Sequence, residues 1–241
     1  MSNWWDSPPF SGQRCLDLLL PRLDNHPSNS VKHPSPDAFS TYLIAKHTFT
    51  CGEQFLMAMK PWLFERPPPS TSSLSEQDTT SLGTFDLEKL RQEMLSHKFP
   101  PRNTPARAMY DSTLCKILRA RSAKDQKVLG RGTLNFQEEI WNIASIEVCV
   151  SCSIARAEVD DELKHFYLAC GKRKFVEGSP IDKIWGVGIK WDDHSIDDEA
   201  NWKGQNRLGR CHDAASVEFR TLQEKKLQDE VESGLKSFEP I

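Results

Sequence analysis

The stretch KFVEGSPIDKIWGVGIKWDD, residues 174–193, and the segment NWKGQNRLGR, residues 201–210, together hold five of the chain's 12 glycines. Gly178, Gly186, Gly188, Gly204 and Gly209 stand close in sequence to Trp185 and Trp202. Glycine loses more backbone entropy on folding than any other residue, so such clustering marks tight turns or backbone held close to a neighbour. On these residues alone two readings stay open: a pair of turns with the indoles as core anchors, or a flat-walled pocket.

Two further blocks stand upstream. GEQFLMAMK, residues 52–60, reads as a helix ending in lysine, and ILRARSAKDQKVLGR, residues 117–131, as helix, turn and a Lys-x-x-Gly-Arg element. With the VEGSPIDKIWGVG to WKGQNRLG region they follow the block order of the NADAR, or YbiA-like, family, which the chain resembles over residues 41–65 and 110–210. Trp141 and the LACG turn before Lys172 add to the likeness. The segment SNWWDSPPF, residues 2–10, resembles one that follows a first strand in relatives, and that strand is expected to be absent here. The resemblance implies an α+β fold: a predominantly helical single domain with a small β-sheet.

The chain has 241 residues, 38% hydrophobic and 27% charged, enough for one sizeable core or two small ones. One domain over residues 1–225 is expected, interrupted by insertions at about 21–40 and 66–108, with residues 226–241 as a charged tail. No run approaches the roughly eighteen apolar residues of a membrane helix, and the polar, proline-containing start does not read as a signal peptide. A cytoplasmic or nuclear protein is expected, with no membrane partner. Of seven cysteines only Cys149 and Cys152 have a metal-like spacing, so reduced packing thiols and no metal site are expected. The acidic loop with Asp192, Asp193, Asp197 and Asp198 lacks calcium-loop spacing and reads as solvated. A net charge of −3 argues against a dedicated nucleic-acid binder.

Residues 21–40 read as a surface loop and residues 66–83 as low-complexity disorder. Phe85, Leu87, Leu90, Met94 and Leu95 predict a short helix before Pro100. Helices are predicted near 50–64, 110–121, 122–129, 137–150 and 160–170, and strands near Lys174–Glu177 and Trp185–Ile189. Beyond Arg220 a solvated helix is predicted.

The helix at 50–64 is where chemistry is expected. With Thr50 as N-cap, Glu53 falls at the capping-box position, the structural reading of that acid. Against it, Glu53, Met57, Lys60 and Phe64 lie within roughly 60° of one another around the axis, apart from a core face of Phe55, Leu56, Met59, Trp62 and Leu63. An acid and an amine in partly apolar surroundings are disposed to shifted pKa values. The family resemblance implies cleavage of an N-glycosidic bond at ribose C1, in riboflavin-pathway ribosylamine intermediates or ADP-ribosylated guanine. It makes Glu53 and Lys60 the catalytic candidates, the first as carboxylate and the second as a Schiff-base nucleophile, set against a lysine that merely snorkels. Pro61 departs from the alanine common in relatives and is expected to kink the helix at Lys60.

The same resemblance implies substrate contacts at Lys127, Gly130, Arg131, Asp182, Trp185, Gly186, Gly188, Trp202, Gly204 and Asn206, and no cofactor. Lys127 and Arg131 are expected at phosphates, beside a helix end closed by Gly130. Trp185 and Trp202 are expected to stack on a base or to close the ribose pocket. Asp182 reads equally as a turn aspartate and Asn206 as a residue bonded within its own turn. Glu177 is expected to partner a basic residue. Lys116, Arg119 and Lys124 read as a solvated face. The expected partner is a phosphorylated ribosyl or ADP-ribosyl small molecule, or ADP-ribosylated nucleic acid. A non-catalytic ADP-ribose or nucleotide-binding module is the alternative, and an interaction protein a third reading.

Overall fold

In the computed structural model, residues 8–28, 38–65, 87–96, 98–102 and 105–236 are described. The fold is predominantly helical with one small sheet, as the resemblance implied. The low-complexity tract at 66–83, and part of the loop expected at 21–40, lie outside the described residues. The chain divides into two compact units, Ser2–Val148 and Cys149–Ile241.

In the first unit, strand β1 (Phe10–Ser11) pairs antiparallel with β2 (Thr48–Phe49), Phe10 opposite Phe49. These are the only strands among the described residues. Helix α1 (Gly12–Asp24) starts where Ser11 accepts from the Arg14 N–H, and buries Cys15, Leu16, Leu19 and Leu23 at helical spacing. It carries helix through 21–24, where a loop was expected. Gly12 is required by contact: a Cβ there would lie 1.9 Å from the Ile44 carbonyl oxygen at the end of α2 (Ala38–Ala45).

Helix α3 (Gly52–Phe64) is the core of this unit, buried all round except at Lys60. The indole of Trp62 donates to Thr41 of α2 at 3.0 Å. On its other sides lie α6 (Thr113–Arg119) and α7 (Ala123–Arg131). Between α3 and α6 in sequence come α4 (Leu87–Leu95) and α5 (Pro105–Tyr110), so the helix expected at 110–121 is broken around Asp111 and Ser112. Arg119 is not the solvated residue its charge run suggested. Its guanidinium lies 3.5 Å from the Tyr110 ring centroid and donates to the carbonyls of Met94 and Tyr110, at 2.7 Å each.

The boundary between the units falls within α8 (Glu138–Ala157), which runs seven residues past the end expected from the sequence. By length and composition α8 is apolar enough to cross a membrane, which no run in the sequence was expected to be. With 72% of that window buried in protein, it has the burial of a core helix.

In the second unit, α9 (Asp161–Ala169) is capped by Asp160, and α10 (Arg207–Lys236) runs unbroken through His212–Ser216. Cys211, Ala215, Ser216 and Phe219 face the interior, and beyond Arg220 the helix is largely solvated. All seven cysteines are buried thiols.

Candidate active site

Helix α3 begins differently from the expected capping box. Cys51 is the N-cap, in extended conformation, and makes no side-chain cap bond. The partner of Thr50 is Gln54, whose Oε1 accepts from the Thr50 N–H at 3.1 Å and hydroxyl at 3.2 Å. Gln54 is buried, and its Nε2 donates to the carbonyls of Ile117 and Leu118 where α6 ends. A buried amide must find partners for both ends, and these satisfy it. Glu53 therefore does not serve as the capping acid, and it is only 4% exposed.

Nor does Pro61 end the helix. It removes the N–H that would bond the Met57 carbonyl, but α3 continues to Phe64 and the Glu65 N–H closes on the Pro61 carbonyl at 2.9 Å. Lys60 is thus presented from a continuous helix.

The surroundings of Lys60 are aromatic and charged together. Its Nζ lies 5.2 Å from the ring centroids of both Phe136 and Trp141. Burial lowers the pKa of this amine, Glu53 opposes that shift, and the positive charges of Arg131 and Lys127 reinforce it. Glu53, Lys60, Lys127 and Arg131 therefore act within one electrostatic neighbourhood.

Helix α7 brings the two cations there because Gly130 packs directly on Met57. A Cβ at 130 would lie 2.4 Å from Met57 Sδ. Gly130 does not close the helix, as had been expected: α7 runs on to Arg131 and Gly132 is the C-cap. A helix C-terminus presents carbonyls, not N–H groups, so anion binding here rests on the Lys127 and Arg131 side chains.

Sequence reasoning missed the loop that follows. The Leu134 N–H donates to the Glu65 carboxylate at 2.9 Å, and Asn135 takes φ 54°. Phe136 then lies against Phe64, centroids 5.3 Å apart and edge to face, and 6.4 Å from Trp141. The available signal was an asparagine before an aromatic residue at the threshold of a helix with an acidic first turn, Glu138 and Glu139.

In the second unit the glycine-rich stretches form no strands, contrary to the expectation at 174–177 and 185–189. They are two irregular segments stitched together. The N–H groups of Lys203, Gln205, Asn206, Arg207 and Leu208 donate to carbonyls of Val187, Lys183, Gly186, Ile184 and Trp185. Contact that close excludes side chains. A Cβ on Gly204 would lie 2.3 Å from the Gly186 carbonyl oxygen, one on Gly186 would lie 2.8 Å from that of Asp182, and Gly188 takes φ 72°.

The polar candidates here are engaged by their own chain. Asp182 Oδ1 accepts from the N–H groups of Ile184 and Trp185, at 3.0 and 2.8 Å. The Trp202 indole donates to the Ile196 carbonyl at 2.8 Å. Asn206, at φ 51°, accepts from the Glu177 N–H and donates to the Phe175 carbonyl, both at 2.9 Å. Trp185 remains half-buried. Glu177 is half-buried too, but the charge acting on it is acidic rather than basic: burial first and Asp182 second raise its pKa. Asp193 and Asp198 cap two short 3-10 turns in the exposed acidic loop. A surface groove along α10, lined by Leu222, Lys225, Lys226, Asp229, Glu230 and Ser233, contains none of the candidate residues.

With the helical fold and the glycine-stitched segments in place, the class is settled by comparison: the NADAR domain model matches residues 92–219, and the chain belongs to the NADAR domain family. The match takes in α7, the Phe136 loop and the stitched segments, but not α3. Among curated proteins, the chain is 32% identical over 113 residues to protein irg-1 of Caenorhabditis elegans, covering 46% of this chain and 53% of that protein. It is 30% identical over 122 residues to N-glycosidase R617 of Acanthamoeba polyphaga mimivirus, covering 49% and 66% respectively. The chain thus spans only about half to two thirds of these relatives.

Proposed function

We propose that this protein hydrolyses an N-glycosidic bond between ribose C1 and a nitrogen leaving group. The observation that carries the reading is the electrostatic neighbourhood of Glu53, Lys60, Lys127 and Arg131, and membership of the NADAR family with similarity to a viral N-glycosidase supports it.

The Lys60 amine, its pKa lowered by burial and by two nearby cations, attacks C1. A bond forms from Nζ to C1, and the C1–N bond to the base breaks. The base leaves with that electron pair and gains a proton. Ring opening gives an imine, and water returns the free sugar and the lysine. Positive charge develops at C1 during departure, and the buried Glu53 carboxylate stabilises it. A buried acid is better placed for this than for drawing water from bulk solvent.

Lys127 and Arg131 serve as the phosphate ligands of a ribosyl phosphate or ADP-ribosyl group, Arg131 with a bidentate fork. Asp182, Trp185, Gly186, Gly188, Trp202, Gly204 and Asn206 are assigned to a second element of substrate binding. There Trp185 offers a ring, while Asp182, Trp202, Asn206 and the glycines hold the backbone that presents it. The substrate is a riboflavin-pathway ribosylamine intermediate or an ADP-ribosylated guanine base, the latter free or in nucleic acid.

Purified protein is incubated with both substrate types and assayed for released sugar. Release that Lys60→Ala abolishes, with a borohydride-trapped sugar adduct at Lys60 in the wild type, supports the proposal. Binding without release, in protein that is folded, overturns it in favour of a non-catalytic ADP-ribose or nucleotide-binding module.

A further inference from the structure

Phe136 is the least expected side chain beside Lys60. It is a large apolar residue in a connecting loop and remains 41% exposed. Burying such a ring is favourable, and a loop residue free to move normally finds cover. Here the ring is held instead. Glu65 ties the loop at Leu134, Asn135 turns it through the left-handed region, and Phe64 and Trp141 pack against the ring. Ordering a loop at three points costs conformational entropy, yet it leaves the ring 41% exposed, with the Lys60 amine over it, 5.2 Å from its centroid. A flat group that packs on the exposed part of this ring, on the side the amine occupies, lies next to Lys60 Nζ.

Building on the N-glycosidase reading, we propose that Phe136 is the platform on which the planar heteroaromatic leaving group stacks. It sets specificity for such a leaving group over an aliphatic amine. An aromatic face holds a nucleobase through its π-surface and does not select among bases, so the platform recognises planarity rather than identity. Phe64, Trp141 and Glu65 are positioning residues that fix the ring.

The test measures binding apart from turnover. In a Lys60→Ala background, which cannot form the imine, the affinities of guanosine-linked ADP-ribose and of free ADP-ribose are measured by calorimetry, alone and with Phe136→Leu or Phe136→Tyr added. The base-bearing ligand is expected to bind more tightly than free ADP-ribose. Phe136→Leu should weaken the base-bearing ligand by roughly tenfold and free ADP-ribose by less than about twofold, while Phe136→Tyr keeps the preference. Thermal melts establish that each variant is folded.

Equal weakening of both ligands, no weakening, failure of tyrosine to retain the preference, or no preference in the parent overturns the inference. The catalytic reading is judged separately by sugar release from wild type. A preference that depends on residue 136 in a protein that releases no sugar removes the glycosidase and leaves the platform.

Discussion

Gly130 of α7 and Met57 of α3 occupy one space: a Cβ on the glycine would fall 2.4 Å from Met57 Sδ and 3.0 Å from both Cβ and Cγ. The methionine sulfur can swing aside, but its Cβ cannot without moving α3. Gly130→Ala is therefore expected to destabilise the fold by about 1–3 kcal/mol, the usual cost of overpacking. Gly132→Ala is the control, since a Cβ there meets only the Leu129 carbonyl oxygen at 3.3 Å. It should stay within about 0.5 kcal/mol of wild type. Urea midpoints at unchanged slope make the comparison, and equal effects would show that the helix contact is looser than described.

The charges around Lys60 make opposite demands that substitution separates. Glu53 raises the amine's pKa, whereas Arg131 and Lys127 lower it. Arg131→Met should move the pH onset of Lys60 modification by an amine-reactive reagent upward. Glu53→Gln should move it downward, so that Lys60 reacts at lower pH than in wild type. Mass spectrometry of the Lys60 peptide across a pH series reads both shifts. Movement in the same direction for both variants would mean that the residues act through structure rather than charge.

How much of this was legible in the sequence differs between the two units. The helix of α3 and the burial of Phe55, Leu56, Met59, Trp62 and Leu63 were plain, but the face expected to stand apart from them is buried too, at Glu53, Met57 and Phe64, because α3 is surrounded and its period no longer separates inside from outside. The cap was misassigned. A glutamine reaching carbonyls more than sixty residues away competes with the local capping box, and no local pattern records that. The glycines were recognised as marking close backbone approach, but strands were inferred around them. Alternating apolar residues at 185–189 suit a strand, whereas Asp182 turning the chain and Gly188 at positive φ prevent one. Phe136 was invisible because its value lies in contacts to Phe64 and Lys60, made across a loop.

Asn206 replaces a missing strand pairing. Its amide accepts from the Glu177 N–H and donates to the Phe175 carbonyl, while its own backbone sits at φ 51°. Asn206→Ala removes both bonds and places a residue poorly suited to the left-handed region there. A loss of about 2–4 kcal/mol is expected. Asn206→Gly, which tolerates the backbone, should recover part of that loss. A glycine variant no more stable than the alanine variant would assign the whole effect to the side-chain bonds.

Acid should unfold this protein early because two half-buried histidines are held in neutral form. His212 has its pKa lowered from 6.5 to about 3, by burial first and by Arg156 second, and its Nδ1 is 2.5 Å from the Tyr167 hydroxyl. His47 is lowered to about 4 by burial and Arg91, with Gln54 opposing. For each, the unfolded chain binds a proton that the folded chain does not. Their contribution is therefore complete above pH 6.5 and falls as pH drops from there toward the folded value. The slope is on the order of 1.4 kcal/mol per pH unit per histidine once below the unfolded pKa. Stability measured by urea unfolding should decline between pH 6.5 and 4.5. His212→Gln should be less stable at pH 7.5 yet decline with a slope smaller by about one proton, the remainder being due to His47 and the carboxylates. Identical slopes in wild type and variant would mean that His212 takes up its proton in the folded state at an ordinary pH, and the closed packing of Tyr167, Phe175 and Arg156 around it would have to be redrawn.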